Sequence, residues 1–383
     1  MSEAATEKNV TQEAKEPKEE STPNAKEESK EGKEAVTETA NDAAATTPPA
    51  PAAPKGCKKP NFEKDVIYLY QFSRTPTIPS VSPFCLKVET WLRLAGLKYE
   101  NVDHRMKFKS KKGQLPFVEL NGDEIADSSF IIKELSQKFE KDLDASLDNS
   151  QKNISHAIIS MIENHFHWVV HYWKVKNPDN MIRGYKLNLQ QFLGTRFPNA
   201  ILNIVFKFRF SRKGLRKARA QGMGVHTPEE IEEFGKNDLK VLSDLLGDKP
   251  YFFGDEPTVL DVVAFSQLAQ VYFVDKEVEY PLRDYLNENF SNLVGHVNRM
   301  KERCFADWDD ICKTLDMNAH IPKPVAEEKE AKTKDEEKIA EKEGDKIGDD
   351  KDKLEKDKEG EKDVDENKDK GKEKEKENKE DAK

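Results

Sequence analysis

Cysteine is scarce in this chain. Four residues (Cys57, Cys85, Cys304 and Cys312) among 383 are too few and too scattered for a disulfide framework, and a reducing, intracellular setting is expected. No paired Cys-x-x-Cys or Cys/His array is present to hold zinc, and no Walker or Gly-x-Gly-x-x-Gly loop to cradle a phosphate. Uncharged apolar runs of ~18 residues are also missing, so no segment reads as a membrane span. Residues 1–20, MSEAATEKNVTQEAKEPKEE, lack the apolar stretch of a secretory leader. Nor is there an excess of positive charge: 63 Lys+Arg stand against 73 Asp+Glu, a net charge of −10. That balance argues against general nucleic-acid binding.

Aromatic residues are nearly absent from the two ends. Residues 1–64 hold 10 Lys and 13 acidic residues with Phe62 as their one aromatic; residues 321–383 hold 19 Lys and 25 acidic residues and no aromatic at all. Without large apolar groups such segments cannot offset the entropy of ordering, so both are expected to be disordered tails. The first is Lys/acid-rich and then Pro/Ala-rich, ending in TPPAPAAPKG (47–56). Residues 65–320 carry the Trp and Tyr residues and are close to neutral, enough for one large domain or two modest ones.

What is present between the tails has two textures. VIYLYQF (66–72) is β-branched and aromatic throughout, a buried strand. A loop with three prolines (74–83) leads into FCLKVETWLRLAGL (84–97), a helix that Gly96 can close. KYENVD (98–103) is a second strand, and QLPFVELNGDEIA (114–126) is two short strands about an Asn121-Gly122 hairpin turn. DSSFIIKELSQKF (127–139) opens with helix-capping residues and continues as an amphipathic helix. This order, βαβ then ββα, is that of a thioredoxin-like unit, assigned to residues 65–142. From 148 to 320 the periodicity is helical only. Residues 153–175 are apolar nearly all round and are expected to form one long buried helix, and 229–246 carry a helical stripe.

Candidate chemistry sits at helix ends. In Ser82-Pro-Phe-Cys85 a side chain meets the unpaired N–H groups and positive dipole end of the first helix, where an anion such as a thiolate is stabilised. Equally, Ser82 can be an ordinary cap and Cys85 a core residue. Leu115-Pro116 is compatible with a cis bond that would turn the Leu115 backbone toward a peptide-like ligand, or with a plain strand entry. Asp127 and Ser128 offer donors to a carboxylate, or cap the next helix. Gly254, Thr258 and Asp261 form a turn and capping box, structural on either reading.

Taken in order, Ser82-Pro-Phe-Cys85, Leu115-Pro116, Asp127-Ser128 and KPYFFGDEPTVLDVVAF (249–265) resemble the glutathione S-transferase superfamily. The resemblance implies an α/β thioredoxin-like N-terminal domain followed by an all-α C-terminal domain. Glutathione would be the substrate or ligand, and a homodimer a common assembly. Carried onto this chain, it implies that Ser82 donates to the glutathione thiolate, or Cys85 if the longer loop with Pro76 and Pro79 shifts the register. Leu115, with Pro116, would hold the cysteinyl backbone, and Asp127 and Ser128 the γ-glutamyl end. The runs at 80–100, 114–135, 167–174 and 252–265 narrow the likeness to superfamily members with a role in axonal development. These would act as scaffolds or signalling partners of another protein in the cytoplasm or axon. The alternative implied is an active transferase joining glutathione to small electrophiles. The metaxins, which work at the mitochondrial surface, share the architecture.

Three further groups stand out. Glu163, His167 and His171 share a helical face at i, i+4 and i+8. Metal ligation competes there with core or cleft-lining roles, and the latter is the expectation, with no metal. The resemblance implies that His167, Trp168 and His171 line the acceptor cleft. Residues 197–219 run from Phe197 through an apolar stretch into a cluster of Lys and Arg ending at Arg219, a segment suited to peripheral contact with an anionic membrane or to a partner protein. Cys304 and Cys312, two turns apart on a helix, read as reduced core thiols.

Overall fold

The β-branched and aromatic run at 66–72 forms strand β1, Ile67–Gln71, with all five residues buried. A computed structural model describes residues 57–104 and 107–322; of the tails expected at 1–64 and 321–383, residues 1–56 and 323–383 lie outside the described residues. Strand β2 (Tyr99–Asp103) pairs parallel with β1 in the register Ile67↔Tyr99, and β3 (Phe117–Leu120) runs antiparallel on its other side. Strand β4 (Asp123–Ala126) closes the hairpin with β3. Its turn uses Asn121 at φ 53° and Gly122 at φ 88°, the paired positive φ that a two-residue type I′ turn requires. The sheet order is β2-β1-β3-β4.

Helix α1 (Pro83–Leu94) begins behind Ser82 with Pro at its first position, and Gly96 beyond its end takes φ 65°. Helix α2 (Ser128–Phe139) follows β4 directly. This is the expected thioredoxin-like arrangement, and among the described residues every later element is helical. Helix α3 (Asn149–Met161) and helix α4 (His167–Lys176) are joined by a π-helical turn at Ile162–Phe166. The helix expected at 153–175 is continuous through this turn, with right-handed helical dihedrals at Met161, Ile162, Phe166 and His167, but its first half is not buried: α3 buries only Ser155. Short helices α5 (Pro178–Gly184) and α6 (Leu189–Leu193) lead to the long α7 (Asn199–Gln221) and α8 (Pro228–Leu246).

Helix α9 (Val259–Tyr272) is the axis of this half, buried without break from Leu260 to Val271. Helices α10 (Pro281–Asn289), α11 (Ser291–Cys304) and α12 (Trp308–Thr314) are the last elements among the described residues. One continuous apolar core joins Ile67, Leu69, Trp91 and Val118 to Val262, Phe265 and Leu268; each such fully buried aliphatic or aromatic side chain contributes roughly 1.5–3 kcal/mol. All four described cysteines are free.

The other face of β1 carries Val66, Tyr68 and Tyr70, which pack with Phe117 under Phe62, Phe108 and Leu115. Residues 57–64, assigned by composition to a tail, lie on this face. The buried Glu119 carboxylate takes the backbone N–H groups of Lys58 (2.8 Å) and Lys59 (3.1 Å) and the Tyr70 hydroxyl (2.8 Å). Lys59 reaches Glu100 at 2.6 Å. Average charge conceals such a segment because its anchors are backbone donors that meet one buried acceptor.

At the outer edge of β2, the side-chain amide of Asn318 treats Asn101 as a neighbouring strand would. It accepts from the Asn101 N–H (2.7 Å) and donates to the Asn101 carbonyl (3.1 Å). His320 meets the Tyr99 carbonyl at 3.2 Å.

Candidate functional site

The register Tyr70↔Phe117↔Ala126 fixes three features at one end of the sheet. The chain leaves β1 there, Pro116 enters β3 there, and Asp127 leaves β4 there. The loop 72–82 then returns the chain into α1, whose first turn faces the same end. The Leu115–Pro116 peptide bond is cis, Leu115 is half-buried and Pro116 buried.

Ser82 is half-buried, and its hydroxyl oxygen accepts from the Cys85 N–H at 3.4 Å. Cys85 has no solvent-exposed surface. Burial pushes its thiol up to about 11, against the pull of hydrogen bonds from the Ser82 and Ser80 hydroxyls. At neutral pH it is a core thiol, so of the two candidates at this helix end Ser82 presents the reachable polar atom.

Asp127 has φ 90° and ψ 128°, a conformation that costs a residue with a side chain about 1–3 kcal/mol. Its carboxylate accepts from the N–H groups of Ser129 (3.0 Å) and Phe130 (3.4 Å), and its carbonyl from Ile131 (2.8 Å). Among the described residues no acceptor takes the Ser128 N–H, which leaves an open donor at the positive end of α2. Ser128 itself is buried, with Lys87 Nζ at 3.4 Å from its hydroxyl. Lys87, from α1, also donates to the Ser129 hydroxyl (2.9 Å) and pairs with Glu163 (2.7 Å).

On the other flank the first turn of α4 meets the first turn of α1. The His167 ring lies 4.8 Å from that of Phe84, and the Trp168 and His171 rings are 5.3 Å apart, edge to face. Burial, with each other's and Lys174's charge, pushes His167 down to about 3; burial and Lys174 push His171 down to about 4. Both imidazoles are neutral at physiological pH. His167 and His171 keep one face, their rings stacked 5.9 Å apart, but Glu163 in the π turn is turned to Lys87, and His165 pairs with Asp238 at 2.7 Å. Among the described residues no three His, Cys, Asp or Glu side chains come together to hold a metal ion.

Sequence reasoning missed the groups that hold the loop 72–82. At its start Arg74 forks onto Glu89 with two bonds of 2.7 Å. At its end Lys174 donates to the Val81 carbonyl (3.1 Å) and to Gln270 (2.7 Å), and Gln270 donates to the Ser80 carbonyl (3.0 Å). The available signal was charge in the wrong place: Lys87 and Glu89 stand within the buried run of α1, and Lys174 in an apolar helix. A cavity of about 840 Å³ lies beside the start of this loop, lined by Ser73, Arg74, Asp103, Gln191, Arg196 and Met317 among others. It includes none of Ser82, Leu115, Asp127 or Ser128. The convergence of helix ends and open donors therefore locates the candidate site better than the size of this polar hollow does.

Further along, Thr258 and Asp261 form the capping box of α9, with the Thr258 N–H donating to Asp261 at 2.8 Å. Asp261 also accepts from the Phe252 N–H (3.0 Å) and meets His296 (2.9 Å). Gly254, at φ 138°, supplies the turn before it. This cluster is a structural joint, remote from the helix ends above in its contacts.

Comparison with known proteins matches the glutathione S-transferase N-terminal domain to residues 83–180 and the C-terminal domain to residues 235–300. The protein failed axon connections of Drosophila melanogaster is 61% identical over 315 residues, 81% of this chain and 75% of that protein. The isoprene-epoxide–glutathione S-transferase of Rhodococcus sp. (strain AD45) is 26% identical over 62% of this chain and 99% of its own. Metaxin-2 of Mus musculus is 25% identical over 58% of this chain and 82% of its own.

Proposed function

This chain belongs to the failed axon connections family within the glutathione S-transferase superfamily, and from that premise we propose a glutathione-binding protein that works in axonal development as the scaffold or signalling partner of another protein. Its setting on this reading is the cytoplasm of the axon. The extent of identity to the fly protein supports the biological role.

Asp127 carries the glutathione part. A short carboxylate held at φ 90° beside an open Ser128 N–H combines an acceptor for an ammonium with a donor for a carboxylate. The γ-glutamyl end of glutathione has both groups on one carbon. The Ser128 N–H and hydroxyl would take its carboxylate, aided by the nearby Lys87 ammonium, and Asp127 its ammonium. The Leu115 backbone would flank the cysteinyl unit, which brings the sulfur toward Ser82.

A second reading, catalysis, is favoured by the rotatable hydrogen of the half-buried Ser82 hydroxyl at the positive end of α1. Donated to sulfur, it would stabilise the thiolate for attack on a small electrophile, so that Ser82 stays a donor and never a nucleophile. Phe84, His167, Trp168 and His171 would form the apolar wall for the acceptor.

Retention of the full-length chain on immobilised glutathione, read alongside turnover of a chromogenic electrophile, tests both readings. Wild-type retention that is lost in Asp127→Ala supports binding; a wild type that is not retained rejects it. Turnover that disappears in Ser82→Ala, with retention preserved, supports catalysis. Turnover unchanged in Ser82→Ala rejects Ser82 as the donor. Retention without turnover leaves the scaffold reading with glutathione as ligand.

A further inference from the structure

Helix α7 presents an apolar face to solvent. Ile201, Ile204, Val205 and Phe208 follow the i, i+3, i+4, i+7 spacing of one helical face, with Phe197 just ahead of the helix. Their exposures run from 47% to 71%. The opposite side of the helix is fixed inward, where Gly214 and Ala218 are buried and Gly214 stands against Val175. The apolar face cannot roll into the core without breaking that contact.

Along the same face toward the C-terminal end, Arg212, Arg216 and Arg219 continue the line, with Arg209 and Lys213 beside them, all exposed. Arg212 stacks over the Phe208 ring, 5.9 Å from its centre. On this helix Lys207 pairs with Asp179. Among the described residues none of these five cations meets a carboxylate. One helix face thus has two halves, first apolar and then cationic.

We propose that this face of α7 docks on an anionic membrane surface, with Phe197, Ile201, Ile204 and Phe208 entering the acyl boundary and Arg212, Arg216 and Arg219 meeting lipid phosphates. The surface must supply hydrocarbon and negative charge side by side, and a bilayer interface does both. A second copy of the chain fits poorly. Antiparallel pairing of two α7 faces sets unpaired cations on apolar side chains, and parallel pairing sets cations on cations. The acidic residues at 323–383 match the charge, but that segment contains no aromatic and few aliphatic side chains to cover the apolar half. No described helix is long and apolar enough to cross a membrane, so contact here is peripheral.

Co-sedimentation of the full-length chain with vesicles tests this, using phosphatidylcholine mixed with phosphatidylserine against phosphatidylcholine alone. The expected result is binding to the mixed vesicles that weakens as salt is raised. Ile204→Asp with Phe208→Asp should reduce it to background. Arg212→Gln with Arg216→Gln should weaken it about tenfold or more, since each charge near the surface contributes several-fold. All four positions are exposed, so thermal melting should be unchanged and certifies the fold. Absence of binding to the mixed vesicles at low salt overturns the proposal, as does binding that neither double variant alters. A wild-type dimer in sedimentation velocity that Ile204→Asp with Phe208→Asp dissociates would also overturn it and assign the face to a second copy.

Discussion

Arg74 and Lys174 are two buried cations that hold opposite ends of one loop, and they are held in opposite ways. Arg74 forks onto Glu89, and Glu89 also receives Gln71 (2.8 Å), Tyr99 (3.1 Å) and Asn101 (3.2 Å). Burial alone would raise the Glu89 carboxyl, but Arg74, then Arg93 and Gln71, hold it far below the carboxylate range. Lys174 meets only neutral acceptors, Val81 and Gln270, under the Tyr185 ring. Burial pushes its ammonium down from 10.5 to about 7. A buried cation keeps its charge when a carboxylate replaces its water, and becomes a titrating group when amide oxygens do.

The largest expected effect breaks the paired end. Glu89→Gln leaves Arg74 buried and unpaired and should cost about 3–5 kcal/mol in chemical denaturation. A loss well under that would show that water reaches Arg74. The second sharpens the unpaired end. Between pH 7 and 10.5 the unfolded chain keeps the Lys174 proton that the folded chain sheds. Stability should therefore rise with pH across that window, by up to ~1.4 kcal/mol per unit from this group. Lys174→Met should flatten the rise; an unchanged slope would refute the assignment.

Acid separates the two ends by order of loss. His167 and His171 shed protons on folding, so their penalty grows as pH falls from 6.5 toward about 4. The Glu89 contribution is complete above its ordinary 4.5 and fades only as pH falls toward its depressed value. Hydrogen exchange during an acid titration should show the α4 side loosening first. The smallest effect is Gly214→Ala, whose new methyl would stand 2.2 Å from Val175 Cγ1. It should cost about 1–3 kcal/mol and, by parting α7 from α4, raise the Lys174 pKa while leaving the Arg74 end untouched.

Legibility followed the range of the interaction. The strands, the Asn121-Gly122 turn and the Thr258–Asp261 box were readable because the partners lie within a few residues. The choice between Ser82 and Cys85 was not, since it turns on burial supplied by distant helices. Residues 57–64 were misassigned because their order depends on Glu119 across the sheet. The shared face of Glu163, His167 and His171 is not kept at Glu163, since local spacing carries no hint of Lys87 on α1 or of a π turn. Lys87, Glu89 and Lys174 suggest a rule: charge inside a buried period marks a long-range contact before it marks a site.

Asn318 has a bearing on assembly. An open β-edge offers its unpaired N–H and C=O groups to any extended chain that passes. By engaging both groups of Asn101, with His320 on Tyr99, the last described turn of the chain occupies that edge with side chains and cannot itself be extended as a strand would be. A partner peptide would have to displace it before lengthening the sheet at β2, so recruitment by strand addition is guarded by the chain's own Asn318 and His320.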